Sequence, residues 1–151
     1  MLNIAVESLI PHRKPMCLID RVLQADSQQV ICQSDITQSH LFYRQAIGGV
    51  DHWVAIEMMA QASGILARFQ AGRSLDEKPR LGFLLSIRNY KAYTDYFTED
   101  TCLTIIASKI YIEESLGAFD CQVRIDDTSL ASAKINAVEP DEQMRNEIIQ
   151  G

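Results

Sequence analysis

Along residues 119–126, Phe119, Cys121, Val123 and Ile125 alternate with Asp120, Gln122, Arg124 and Asp126. A period of two predicts a strand with one buried and one wet face. The neighbouring apolar, β-branched runs LGFLLSIRNY, CLTIIASKIYI and SLASAKINAV read as further long antiparallel strands. Earlier in the chain, MCLIDRVL and VICQSDIT flank a polar turn at 25–29 and predict a hairpin. Between these groups lies one long helical run, HWVAIEMMAQASGILARFQAG, with Asp51 in front as N-cap and Gly72 closing it. Its apolar residues, from Trp53 and Val54 to Leu66 and Phe69, fall on every face, so it belongs in the core with a sheet wrapped around it. Ala60 and Gly64, one turn apart, would let that helix approach a neighbouring backbone closely. Short helices are expected at Asn3–Ile10, with Asn3 as N-cap and Pro11 as the stop, and at Asp141–Ile149. The expectation is α+β, one domain over 1–151.

Composition narrows the possible partners. Fourteen Lys and Arg against twenty Asp and Glu give a net charge of −6, the wrong sign for a phosphate-neutralising protein, so nucleic acid is not an expected ligand. No apolar run approaches the roughly 20 residues of a membrane span, and the N-terminal stretch lacks a signal-peptide pattern, which predicts a cytoplasmic chain. Cys17, Cys32, Cys102 and Cys121 match neither a zinc knuckle nor a disulfide framework and read as small core hydrophobes. Six of the 14 basic residues (Arg68, Arg73, Lys78, Arg80, Arg88 and Lys91) lie within one stretch that holds only Asp76 and Glu77 as acids. That excess would dock an acidic carrier protein, or it is simply a solvated face.

The candidate chemistry centres on Glu57, a carboxyl group inside the apolar helix. Such a group must be paired, protonated or used. Burial would raise its pKa and make it a general acid; an ion pair at a subunit interface is the other reading. Gln61, four residues on and so on the same face, would orient Glu57 or satisfy buried backbone groups. His40, in a loop that also carries Tyr43 and ends in Gly48-Gly49, is the candidate base. His52, at the start of the helix, would be kept neutral by the helix dipole and offer its backbone N–H to an oxyanion. His12, between Pro11 and Arg13, reads as a structural hydrogen-bonding residue. Nucleophile elbow, P-loop and dinucleotide fingerprint are absent, so acid–base chemistry without metal or bound cofactor is expected.

The element PHRKPMCLIDRV, followed in order by IEMMAQASG and LGFLLSIRNYKAYT, resembles the 3-hydroxyacyl-[acyl carrier protein] dehydratases of the hot-dog fold over about 9–138. Within that family the chain is similar to the dehydratase-like proteins of aryl-polyene and other type II polyketide pigment clusters. The resemblance implies a long central helix wrapped by a curved antiparallel sheet, a dimer with a continuous sheet, and an acyl tunnel at its interface. It also implies a substrate carried on the phosphopantetheine of an acyl carrier protein. A His and an acid from opposite protomers would remove the α-proton and protonate the departing hydroxyl. Glu57 falls on the family's acid and Gln61 on the Gln after it. The family's His opens a G-H-F-P-G element; here the loop reads SHLFYRQAIGGVDHW, with Tyr43 in that His's place and His40 able to reach the same point from a rebuilt loop. Substrate contacts are then expected from Tyr43, Gly49, His52, Trp53 and Gln61, His52 standing where the family has a Gly. The expected reaction is dehydration of a 3-hydroxyacyl thioester to the trans-2-enoyl thioester, by a homodimer or by a heterodimer with a related dehydratase. The alternatives are a non-catalytic partner subunit of such a heterodimer and a hot-dog thioesterase.

Overall fold

The structure is a computed structural model that describes residues 2–74, 76–80, 82–140 and 146–147. Among the described residues, nine strands and one long helix follow in the order β1 (Arg21–Ala25), β2 (Gln29–Ile36), β3 (Tyr43–Arg44), β4 (Gly49–Asp51), α1 (Ala55–Ala71), β5 (Phe83–Ala92), β6 (Tyr96–Thr98), β7 (Thr101–Glu113), β8 (Leu116–Ile125) and β9 (Thr128–Val138). Six of them form one antiparallel sheet in the order β1-β2-β7-β8-β9-β5, and β3, β4 and β6 form a small second one. The four long strands, the central helix and the hairpin turn are where the pattern of the sequence puts them, but the first hairpin strand, expected from Met16, begins only at Arg21.

Strand register explains how the sheet takes the helix. Cys32, Ile105, Val123 and Ala131 line up across β2, β7, β8 and β9, and all four are buried. In the next inward row Val30 is followed by Ala107, Cys121 and Ala133, three small side chains that leave room for the helix. Ser63 sits there, its hydroxyl donating to the Met59 carbonyl at 2.8 Å and lying 3.4 Å from Cys121 Sγ. Met58, Met59, Ile65 and Leu66 of α1 are fully buried against this surface. Each contributes about 1.5–3 kcal/mol by leaving water. Gly72, at φ 65°, ends the helix in the left-handed region that favours glycine, and its N–H donates to the Phe69 carbonyl.

Several local expectations are corrected. Asp51 does not cap α1: it ends β4, paired with Tyr96, and its carboxylate lies 3.5 Å from Arg44 Nη1. A 3₁₀ turn at His52–Val54 then leads into the helix. Near the N-terminus only Val6–Ser8 is helical, a 3₁₀ turn capped by Ala5, and Asn3 takes no part. Ala60 and Gly64 do not bring a neighbouring backbone close; a Cβ on Gly64 would meet only the Ile10 side chain, at an ordinary 3.5 Å. Cys17, Cys32 and Cys121 are buried as expected, but Cys102 is exposed. The expected helix at 141–149 lies outside the described residues except for two helical positions, Asn146 and Glu147.

Candidate active site

Glu57 sits in the first turn of α1, and the chain from His12 to Leu18 crosses over it. Gln61, 1% exposed, ties the two together. Its Oε1 accepts from the Leu18 N–H at 2.8 Å, and its Nε2 donates to the Met16 carbonyl at 2.9 Å and to Glu57 Oε1 at 3.0 Å. Both roles open to Gln61 from the sequence are therefore filled by one side chain: it satisfies buried backbone and it aims the carboxyl group. His12 completes the cluster, with Nε2 at 3.4 Å from the same Glu57 oxygen. Its Nδ1 is buried and has no partner among the described residues.

This geometry corrects the expectation that burial alone sets the acidity of Glu57. Burial does push the carboxyl upward, but the bonds from His12 and Gln61, together with the His12 charge, outweigh it and hold the group below the ordinary carboxylate value. The side chain also remains 39% exposed, so water still stabilises its charge. The balance favours the ionised form of Glu57.

The other predicted catalytic and substrate-contact residues lie away from this cluster. Glu57, Gln61 and His12 line a cavity of about 600 Å³; His40, Tyr43, Gly49, His52 and Trp53 do not. His40 is half-buried, and burial lowers its proton affinity. Its Nδ1 accepts the Phe42 N–H at 3.1 Å, which fixes the proton of the neutral ring on Nε2, an atom that is buried without a partner among the described residues. Tyr43 pairs with Val50 between β3 and β4. Gly49 is held by packing: a Cβ there would stand 2.1 Å from the Phe97 carbonyl oxygen. Trp53 is 52% exposed and meets Phe42 edge-on at 5.7 Å.

His52 stacks on Tyr90, whose hydroxyl donates to the His52 carbonyl at 2.9 Å and lies 3.0 Å from Nδ1. The expected oxyanion donor is not available, because the His52 N–H already donates to the Asp95 carbonyl at 3.1 Å.

Two of the six basic residues expected to dock a carrier are also corrected. Arg68 is 2% exposed, its guanidinium turned inward to donate to the Ser74 and Glu77 carbonyls. Arg73 is paired bidentately with Glu139 inside the cavity. Lys78, Arg80, Arg88 and Lys91 are exposed. Among the described residues no three His, Cys, Asp or Glu side chains converge as a metal site, and no helix is long and apolar enough to cross a membrane.

A long helix packed on a six-stranded antiparallel sheet, with a helix-borne carboxyl group at a cavity, is the hot-dog arrangement. The match to the ApeP-like family, described as ApeP dehydratase, spans residues 4–150, and the chain belongs to that family. It is 27% identical over 138 residues to the 3-hydroxyacyl-[acyl-carrier-protein] dehydratases FabZ of Xanthomonas campestris and Xanthomonas oryzae, covering 86% of each chain. Among solved structures it matches the dehydratase heterocomplex ApeI:P from Xenorhabdus doucetiae with a TM-score of 0.90 and 26% identity, over 99% of this chain and 100% of that one. A hypothetical thioesterase from Streptococcus pneumoniae shares the fold alone, at a TM-score of 0.61 and 13% identity over 80% of this chain and 84% of that one.

Proposed function

We propose that this chain is the acid-bearing subunit of a dehydratase that converts a 3-hydroxyacyl thioester, carried on the phosphopantetheine of an acyl carrier protein, into the trans-2-enoyl thioester. The setting is fatty-acid-like or polyene biosynthesis in the cytoplasm. The observation that carries the reading is the Glu57–His12–Gln61 cluster on the wall of the cavity beside α1. In the reaction a base takes the α-proton, the electron pair of the broken C2–H bond forms the C2–C3 double bond, and the β-hydroxyl leaves as water with a proton from the acid. Glu57 is that acid, and His12 is the group within reach that reloads it. Gln61 keeps the carboxyl group aimed.

The base is assigned to a second subunit. His40, the expected base, holds its Nδ1 lone pair in the bond from Phe42, so the neutral ring has no acceptor to spare unless that bond opens. The match to a two-chain dehydratase complex supports a heterodimer. So does β5, whose outer edge carries no strand among the described residues and which exposes Leu84 and Leu85. Lys78, Arg80, Arg88 and Lys91 remain as the cationic face for the carrier.

The test is dehydration of a 3-hydroxyacyl carrier protein by the chain with and without a related dehydratase subunit, using His12→Ala and His40→Ala. We expect turnover only with both subunits, strongly reduced by His12→Ala and kept by His40→Ala. Turnover by the chain alone that disappears with His40→Ala would assign the base to His40 in a homodimer. Free acid in place of the enoyl thioester would mark a thioesterase, and full turnover by the complex carrying His12→Ala would remove His12 from the mechanism.

A further inference from the structure

The cavity follows one face of α1 from Glu57 past Ala60, Gly64 and Ala67 to Ala71. At 1.5 Å per residue that is a run of about 20 Å. The helix offers mostly small side chains along this run. From the sheet, Gly117 of β8 and its cross-strand neighbour Ala137 of β9 line the same cavity. Two surfaces of small residues leave a slot between them, and that slot suits the acyl chain of a thioester held at Glu57.

Phe119 decides how much of the slot is open. Residues two apart on a strand share a face, so Gly117 and Phe119 lie on the same side of β8 as Cys121, whose Sγ is 3.4 Å from Ser63 of α1. This is the side turned to the helix. Phe119 lines the cavity and is 3% exposed, and its ring leans along the strand to cover Gly117. A Cβ built on Gly117 would stand 2.8 Å from both Cε2 and Cζ of that ring. Ordinary contact begins near 3.4 Å, so any other residue at 117 drives the ring off the sheet by about 0.6 Å or more. The new Cβ points towards α1, so the ring moves into the slot. No backbone stands in the way, since the next atom that Cβ would meet is Ile112 Cγ1, at an ordinary 3.6 Å. Chain conformation does not call for a glycine here either: among the described glycines only Gly48 and Gly72 take a positive φ.

We infer that Gly117 sets the length of acyl group this chain accepts: lacking a Cβ, it lets the Phe119 ring lie back against β8 and keeps the slot open to long chains. The inference rests on the acyl-thioester reading above and adds a specificity determinant to it. Gly117 is a positioning residue, and Phe119 is the wall it positions.

The experiment is calorimetric titration of the full chain with saturated acyl-pantetheine thioesters that lengthen two carbons at a time from butanoyl to dodecanoyl. These ligands cannot lose water, so binding is read apart from turnover. In the native chain each step should tighten binding by roughly tenfold while the added methylenes are buried. In Gly117→Ala the rise should stop at a shorter chain, with butanoyl binding unchanged and dodecanoyl binding weakened by roughly tenfold or more.

Adding Phe119→Leu to Gly117→Ala removes the displaced ring and should restore the long-chain affinity. Phe119→Trp enlarges the same wall without touching the glycine and should also shorten the accepted chain. The native length profile in both Gly117→Ala and Phe119→Trp overturns the inference, and so does a long-chain loss that Phe119→Leu fails to restore. Failure of every ligand to bind, while a short carrier-bound substrate still loses water, overturns the slot but not the reaction. Length-dependent binding without water loss from any carrier-bound substrate does the reverse.

Discussion

Replacing Gln61 by leucine nearly preserves side-chain volume but removes three hydrogen bonds from a site that is 1% exposed. The Leu18 N–H and the Met16 carbonyl lose their partner beneath the N-terminal segment, and Glu57 loses one of the two bonds that offset its burial. The buried Leu18 N–H left unpaired costs about 1–3 kcal/mol, and the part-buried Met16 carbonyl, on a residue that is 44% exposed, adds less. The half-exposed Glu57 regains water and adds nothing to that sum. For a chain of this size each kcal/mol moves Tm by about 2–4 °C, so a loss of about 3 kcal/mol lowers it by about 6–12 °C. Urea unfolding and thermal melts at one fixed protein concentration measure it, the concentration held because assembly shifts apparent stability. The same substitution raises the Glu57 pKa, moving the acid limb of the pH–rate profile upward. A stability loss below about 1 kcal/mol, or an unmoved acid limb, would refute the claim that Gln61 joins the N-terminal segment to the carboxyl group.

Other consequences follow from the same geometry. Burial lowers the proton affinity of His40, so the unfolded chain binds that proton more readily; the contribution is full above about pH 6.5 and is lost as pH falls toward the lowered value. Unfolding titrations of His40→Gln between about pH 8 and about pH 5 should show a shallower loss than the native chain, and identical slopes would discount the burial. Burial raises the Cys32 and Cys121 thiols to about 12 and also raises Cys17, whereas Cys102 alone of the four is exposed. A thiol reagent should therefore label one cysteine in the folded chain and four after denaturation; rapid labelling of two or more would contradict the packing. Lys78→Glu with Arg88→Glu should weaken carrier binding and flatten its salt dependence in an affinity titration, while Arg68→Glu should instead lower Tm by stranding a carboxylate against the Ser74 and Glu77 carbonyls. Unchanged affinity in the double variant would leave that cationic face without a carrier.

Periodicity made the large elements legible. Alternation in β8 and the all-round apolar helix state a sheet and its filling directly, because burial imposes those periods. The Glu57–Gln61 bond was legible for the same reason, since four residues make one helical turn. His12 was not: its contact with Glu57 spans 45 residues and depends on how the N-terminal segment crosses α1, which no local pattern records. The only signal was its place in the PHRKP element, which the resemblance weighed as a family marker and not as a site. Arg68 and Arg73 misled in the opposite direction. A run of basic residues looks like a solvated face, yet the loop after α1 turns its carbonyls back onto Arg68, and Glu139 at the end of β9 meets Arg73. The His52 N–H failed as an oxyanion donor because β4 and β6 pair up to the helix start and bring the Asp95 carbonyl to it.

The central claim is that Glu57 supplies the proton that turns a β-hydroxyl into leaving water. It is tested most directly by intact-mass analysis of a 3-hydroxyacyl carrier protein incubated with the chain and a related dehydratase subunit, wild type against Glu57→Gln. Loss of one water with the native chain, and none with Glu57→Gln in a complex that still assembles, is the predicted result. Equal water loss with Glu57→Gln would show that this chain shapes the site without donating the proton.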